Sequence, residues 1–332
     1  MKPILIYSKH SSNVYDKLPI TPNKSTIVHD LILSNFDILI EAPIPCSKRD
    51  LLSFHTKEYL EELEEEEFEG VIEYCKYVVG GTFSSCRFLK QPRIVFNFDG
   101  GRHHAQADAS SGFCYVNDII ITLQYMKKRV FYLDLDIHHS DAVSDAFYFT
   151  DRVCCMSFHM HEVGYFPGTG SIDEIGEGKG KYFNINVPLK RGLSNFDLVE
   201  ELVPLAIEKY KPEILVVVAG GDILANDALG RWNLGLDCVK IYDYLFGLGL
   251  ATLVLGGGGY NIANTSKYYA SIVKIAMQNE VDVSTHICEY FDVYKDEPEM
   301  VIPRLAGLID ENTDSYISQI RSQIKEQISH LF

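Results

Sequence analysis

Val130-Phe131-Tyr132-Leu133 runs directly into Asp134-Leu135-Asp136-Ile137-His138-His139-Ser140-Asp141. A continuous apolar run bounded by polar residues reads as a strand buried on both faces, the kind found at the centre of a parallel sheet. Residues i, i+2 and i+4 of a strand share one face. Asp134, Asp136 and His138 are therefore expected to point the same way. Three such groups at a buried strand end cost several kcal/mol unless something pairs with them. A divalent metal ion is the simplest partner, and a metal there implies chemistry.

Outward from this stretch, apolar β-type runs recur at 3–7, 93–98, 153–158, 183–187, 214–219 and 251–255. Helical patterns lie between them at about 24–35, 47–65, 70–89, 115–127, 195–210, 235–248, 261–278 and 312–331. Such alternation predicts an α/β fold with a mostly parallel central sheet flanked by helices. With no repeat or linker in evidence, residues 1–332 read as a single domain. No apolar run approaches the roughly 20 residues that span a bilayer. The start, Met1 to Tyr7, reads as a first strand rather than a signal peptide. The formal charge of -16 argues against direct nucleic-acid binding and is compatible with a cationic partner. Eight cysteines without C-x-x-C spacing fit reduced core thiols better than a disulfide framework.

Open α/β sheets bind ligands at the carboxyl ends of their strands. After 93–98 comes Asp99-Gly100-Gly101-Arg102-His103-His104, and after 214–219 comes Gly220-Gly221-Asp222. After 251–255 comes Gly256-Gly257-Gly258-Gly259-Tyr260. Singly, each has a plain reading: incidental vicinal histidines, a helix N-cap aspartate, a flexible turn. Together with the Asp134–Asp141 run they deliver ligands and acid–base groups to one rim. Two carboxylates and one imidazole leave an open position on a four-coordinate ion, the arrangement of a catalytic zinc site. Asp136, His138 and Asp222 make such a set. Asp134 and Asp141 remain to accept hydrogen bonds from imidazoles, which fixes their tautomer and raises their basicity.

At these residues the sequence resembles a known family. Gly100 to Ala105, Ala109 to Asp118, Asp134 to Asp141, Gly164-Tyr165-Phe166-Pro167-Gly168-Thr169-Gly170 and Gly256 to Asn261 resemble the zinc-dependent histone deacetylases, class I in particular. Asp145 to Thr150 and Tyr260 to Thr265 are similar to its type-8 branch. The resemblance runs from about residue 3 to the C-terminus and implies the arginase-like three-layer α/β/α fold.

The resemblance implies that Asp136, His138 and Asp222 hold Zn²⁺. His103 and His104 become the paired active-site histidines, backed by Asp134 and Asp141. His104 is the implied general base and acid, and His103 a stabiliser of charge. Tyr260 is implied as the donor to the developing oxyanion. Phe113 and Phe166 are implied as tunnel walls for the acyl-lysine stem, with Gly112 beside them and Leu229 at the mouth. Family members also bind K⁺. One implied site uses Asp134, Asp136 and His138 with the backbone of Ser157 and Phe158, and a second uses Phe147, Thr150, Val153 and Phe183. Acetyl-lysine proteins such as histone tails, corepressor partners and a location in the nucleus, with the cytoplasm as a second compartment, complete what the resemblance implies.

The chain also departs from the family pattern. The segment Glu61 to Tyr74 is shorter, and no match is found for an aspartate that holds the substrate backbone; the glutamates near Glu65 are the expected substitutes. Glu64 to Glu67 otherwise reads as a solvated helix end. Arg102 stands where an apolar residue is usual, with Asp99 expected to pair with it, and Lys24 replaces an arginine of the internal cavity. Ser140 and Ala142 replace glycines, and Gly221 replaces an alanine. Lys127-Lys128-Arg129 reads as a structural junction rather than a nuclear signal. Two other readings are kept beside the histone-deacetylase one: an acetylpolyamine or other small-amide deacetylase, favoured by the shortened rim loop, and a weakly active chromatin scaffold, against which the His103, His104 and Tyr260 set stands. A two-manganese ureohydrolase would want more bridging carboxylates than this strand-end set offers.

Overall fold

The computed structural model describes residues 2–278 and 282–331, less the side chain of Glu66. Met1 and Phe332, the ends of the expected domain, lie outside the described residues. Among the described residues, strands β1 (Ile4–Ile6), β2 (Leu39–Glu41), β3 (Ile94–Asn97), β4 (Val130–Asp134), β5 (Val153–Met160), β6 (Asn184–Leu189), β7 (Ile214–Val218) and β8 (Ala251–Leu255) form one sheet. Its order is β2-β1-β3-β8-β7-β4-β5-β6, and every pairing is parallel. Along β4, Phe131 and Leu133 join one core and Val130 and Tyr132 the other. Leu215 and Val217 of β7 likewise oppose Ile214, Val216 and Val218. That two-sided burial is why these strands are continuously apolar.

The helices are α1 (Lys9–Tyr15), α2 (Lys24–Asn35), α3 (Lys48–Leu51), α4 (Lys57–Glu66), α5 (Val71–Cys86), α6 (Asp118–Tyr125), α7 (Asp141–Ala146), α8 (Asp197–Tyr210), α9 (Lys240–Gly247), α10 (Ile262–Met277) and α11 (Asp314–Ser329). Residues of α2, α8, α9, α10 and α11 enter one core, and residues of α6 and α7 the other. Helices α1, α4 and α5 build a third cluster with Val116 and Ile121. The result is the parallel sheet flanked by helices that the alternation predicts, in the three-layer α/β/α form that the resemblance implies. No helix among the described residues is long and apolar enough to cross a membrane.

Some elements differ from expectation for local reasons. β2 is not anticipated: it is three residues long, lies at the sheet edge with Leu39 and Ile40 exposed, and is too short for a periodicity. The expected helix 47–65 is two helices, because the Ser47 and Thr56 side chains each cap a new start. The short α1, opened by the Ser8–Ser11 capping box, is also unanticipated. Strand β4 stops at Asp134, so Asp136 and His138 leave it on an irregular segment rather than on the strand itself.

Candidate active site

β3, β8, β7 and β4 are consecutive neighbours in a parallel sheet, so their carboxyl ends open on one rim. The four loops singled out in the sequence therefore meet. Although β4 has ended, its alternation persists. The Asp134 carboxylate accepts from Asp136 N at 2.9 Å, and the Asp136 carboxylate accepts from His138 N at 2.9 Å. Leu135 N still donates to Val218 O of β7, and Met160 N of β5 to Ile137 O. These links hold the segment in line with the sheet and keep the ligand-type side chains together.

Asp136, His138 and Asp222 each place a donor atom within 4.8 Å of the others, and all three are buried. His138 Nδ1 lies 3.1 Å from Asp136 Oδ1 and 3.1 Å from Asp222 Oδ2. Its other nitrogen, Nε2, is 3.3 Å from the Tyr165 hydroxyl, and the two rings stack at 5.3 Å. The ring is thus held with Nδ1 facing the carboxylates. Burial, then the charge of Asp136, pushes the Asp222 carboxyl above the usual carboxylate range. Two buried carboxylates that repel one another, joined by one imidazole nitrogen, fit a divalent cation of the zinc type. The glycine run explains itself here. A Cβ on Gly258 would lie 2.0 Å from Asp222 Oδ2, so only a bare backbone passes so close to the carboxylates.

Beside this group, His103 Nδ1 pairs with Asp134 Oδ2 at 2.8 Å and His104 Nδ1 with Asp141 Oδ1 at 2.7 Å. The two rings are 3.9 Å apart. Tyr132 donates its hydroxyl to the same Asp134 oxygen. Burial disfavours charge on His103, but Asp134 and then Asp136 outweigh it and hold its pKa up at about 9. Burial and then the neighbouring His103 pull His104 down to about 4. Two adjacent histidines are thereby driven apart, one charged and one neutral at pH 7, a sign of divided acid–base roles.

Tyr260 lines the same cavity, and burial followed by Asp222 and Asp136 pushes its phenol well above the ordinary range. Its hydroxyl stays protonated. Phe113 and Phe166 are each a little over two-fifths exposed, at 43% and 42%. Gly112 and Phe113 both take left-handed φ, +52° and +61°; a Cβ on Gly112 would lie 2.5 Å from His104 Cδ2. The second of these costs a phenylalanine of order 1 kcal/mol or more. The Phe113 ring stands 5.9 Å from Tyr260, and the Phe166 ring 4.9 Å from His104. Leu229 is half-buried, and its carbonyl accepts from the Tyr165 hydroxyl at 3.2 Å.

Sequence reading missed two residues. Tyr165 orients His138, as above. Asp227 accepts four backbone N–H groups: Leu229 and Gly230 on one oxygen, Tyr260 and Asn261 on the other, at 2.7 to 3.1 Å. It ties the Leu229 loop to the Tyr260 loop. Its only sequence signal is an aspartate five residues after a strand-end aspartate, which many surface turns share.

A family model for the histone deacetylase domain matches residues 18–276. Histone deacetylase 9 of Arabidopsis thaliana is 34% identical over 94% of this chain and 81% of its own length. Histone deacetylase B of Dictyostelium discoideum is 32% identical, over 93% and 82%. Human histone deacetylase 1 is 31% identical, over 94% and 72%. The chain belongs to the histone deacetylase family. It is a class I-like member and a hydrolase of the deacetylase type, and its single parallel sheet is the arginase/deacetylase arrangement.

Other expected features of this deacetylase lie as follows. Asp134 and Ser157 are register partners on β4 and β5, with Phe158 next along β5. Thr150 N donates to Phe147 O, and Cys155 N to Phe183 O, near Val153. Arg102 does not pair with the Asp99 carboxylate. Its Nη2 reaches only the Asp99 backbone carbonyl, at 3.4 Å, while the Asp99 carboxylate lies 3.7 Å from His29 Nε2. Asp99 is buried just after β3, with its carboxylate turned to His29 of α2 rather than to the guanidinium. Glu64, Glu65 and Glu67 are exposed at the end of α4, and Glu67, not Glu65, is the one against the Tyr115 hydroxyl. Gly221 in place of alanine leaves room for Thr265, whose Oγ1 would be 2.5 Å from a Cβ there.

Proposed function

We propose that this deacetylase hydrolyses the ε-acetyl amide of lysine in proteins, histone tails among them, with residues 1–332 acting as one catalytic domain. The observation that carries the reading is the pair of aspartate-backed histidines beside the Asp136–His138–Asp222 triangle. Those three residues would hold a zinc ion, which supplies Lewis acidity and lowers the pKa of water from about 15.7 toward about 7.

The chain's own residues do the rest. Asp141 engages His104 Nδ1, leaving Nε2 as the lone pair that takes the proton of the attacking water. The same nitrogen returns it to the leaving amine. His103, held charged by Asp134, stabilises the negative charge that develops. Tyr260 donates its hydroxyl to the oxyanion, worth about 2.7–4 kcal/mol by analogy with other oxyanion donors. Phe113 and Phe166 cover the lysine stem, at roughly 0.8 kcal/mol per methylene buried.

The charge of -16 complements a cationic histone tail. The same reading includes potassium ions near Asp134–Phe158 and near Phe147–Phe183, corepressor partners and action in the nucleus. The test offers acetyl-lysine peptide and acetylpolyamine to the purified protein, with its metal content measured alongside. Peptide turnover with about one zinc per chain is expected. No turnover of either substrate by zinc-loaded protein refutes the reading, and turnover of the polyamine alone replaces it with a small-amide deacetylase.

A further inference from the structure

The two proposed acid–base histidines sit on a short stretch of chain that the start of α6 grips at both ends. Asp118, the first residue of α6, is buried and turns its carboxylate toward the loop that follows β3. Its Oδ1 accepts Arg102 N at 2.7 Å, and its Oδ2 accepts Gly101 N at 3.0 Å and the Thr82 hydroxyl at 2.5 Å. Thr82, on α5, in turn accepts from Asn97 Nδ2 at 2.9 Å. Asn117, one residue earlier, reaches the other end of the same stretch, where its Nδ2 donates to Ala105 O at 3.1 Å. Two consecutive residues thus hold the backbone just before and just after His103 and His104.

A buried carboxylate is costly unless its oxygens are engaged, and here the donors are two backbone amides and a hydroxyl. Hydrogen bonds to a charged acceptor are about twice as strong as neutral ones, so both amides are firmly held. The chain needs holding at this point. Gly101 takes φ +93°, a conformation that residues with a side chain rarely adopt, and the turn there sets the direction in which His103 and His104 leave β3. A Cβ on Gly100 would lie 2.8 Å from Asp118 Oδ2 and 2.7 Å from Thr82 Oγ1, so the polar cluster packs directly on bare backbone. Asp134 and Asp141 hold the two imidazole rings, but they do not fix the backbone from which the rings hang.

We propose that Asp118 is a positioning residue for the His103–His104 pair. By holding Gly101 N–H and Arg102 N–H it fixes the place of both imidazoles relative to the Asp136–His138–Asp222 group, and Asn117 completes the grip at Ala105. The proposal rests on the deacetylase reading above. In that reading Asp118 touches neither the attacking water nor the substrate, and it moves no proton. Its effect falls on the chemical step, because a displacement of about 1 Å near the reacting groups costs on the order of 10²-fold in rate. Among the described residues, the hydrogen bonds of its carboxylate go to the histidine stretch and to α5, not to Phe113 or Phe166, so KM changes little.

The experiment uses the full chain loaded with zinc, as wild type, Asp118→Asn and Thr82→Val. Asp118→Asn keeps the shape, yet in either orientation of its amide one of the two backbone N–H groups faces an NH₂. Thr82→Val takes a hydroxyl from the same buried cluster and leaves both backbone links, so it reports what lost stability does alone. Asp118→Asn is expected to lower kcat on an acetyl-lysine peptide by roughly tenfold to a hundredfold, with KM within about twofold of wild type. Thr82→Val is expected to keep kcat within about twofold. A second readout needs no turnover. The Nδ1–H protons that His103 and His104 share with Asp134 and Asp141, followed by NMR on histidine-labelled protein, shift in Asp118→Asn and stay in place in Thr82→Val. Asn117→Ser keeps a residue that can cap α6 but loses the amide that reaches Ala105 O, and gives a smaller fall in kcat of the same kind. Equal losses of kcat in Asp118→Asn and Thr82→Val, a loss confined to KM, or unmoved Nδ1–H resonances in Asp118→Asn overturn the proposal. Resonances that shift in Asp118→Asn, where the wild type itself turns over no acetyl peptide, overturn the deacetylase reading and uphold the positioning.

Discussion

Asp227→Asn isolates the residue that joins the Leu229 and Tyr260 loops. The carboxylate accepts Leu229 N at 2.9 Å and Gly230 N at 3.0 Å on Oδ1, and Tyr260 N at 2.7 Å and Asn261 N at 3.1 Å on Oδ2. An asparagine keeps the shape but turns one oxygen into an NH₂ group. Whichever way the amide lies, two backbone N–H groups lose their acceptor and face a donor. Hydrogen bonds to a charged acceptor contribute about 1.5–3 kcal/mol each. Two lost bonds set an upper range of about 3–6 kcal/mol, and relaxation of the loops toward water brings the expected loss near 3 kcal/mol. The displaced loop carries Tyr260, and a misplacement of about 1 Å costs on the order of 10²-fold in rate. Denaturant unfolding reads the first quantity and steady-state hydrolysis of an acetyl-lysine peptide the second. Adding Tyr260→Phe separates a positioning role from general destabilisation. If Asp227 acts through Tyr260, removing the hydroxyl costs much less in the Asp227→Asn background than in the wild type. Stability within about 0.5 kcal/mol of wild type, with equal Tyr260→Phe penalties in both backgrounds, would refute the reasoning.

Three further outcomes are expected. Tyr260→Phe lowers kcat by roughly 10²–10³ with KM little changed, since its hydroxyl is proposed to act on the transition state alone; a loss confined to KM contradicts this. Stripping the metal lowers thermal stability, by an amount of about 4 kcal/mol at a thousandfold excess of metal over its Kd, and calorimetric scans of Asp136→Ala should not respond to added zinc. His55 is buried, accepts Asn117 N at 3.0 Å, and is pushed down by burial to about 4, below the ordinary value of 6.5. Its neutral form therefore contributes stability that is full above about pH 6.5 and lost as pH falls toward 4, about 3 kcal/mol in all. Melting temperatures from pH 7 to 4.5 should fall less steeply for His55→Gln than for wild type, and parallel curves would contradict the assignment.

Much of this was legible because burial leaves a direct mark on composition. The two-sided cores either side of Ile214–Val218 and Val130–Leu133 demand continuous apolar strands, and those runs announced themselves. What escaped was short or local. β2 has three residues and an exposed edge, α1 depends on a serine capping box, and the break at Leu52–Thr56 depends on side-chain caps. The partner of Arg102 escaped for another reason. Asp99 is three residues away in the chain, but its carboxylate is turned to His29 on α2.

By itself the sequence determined the residue types at the ends of four strands, because carboxylates and imidazoles directly after buried strands need a partner there. It also determined the alternation that puts Asp134, Asp136 and His138 on one side, which the N–H-to-carboxylate links extend past the end of β4. Only the tertiary structure decided that β3, β8, β7 and β4 are neighbours, because strand order depends on crossovers that no local pattern encodes. It alone turned Nδ1 of His138 inward through Tyr165 and gathered two loops on Asp227. Those are contacts between residues far apart in the chain, set by packing geometry rather than by spacing.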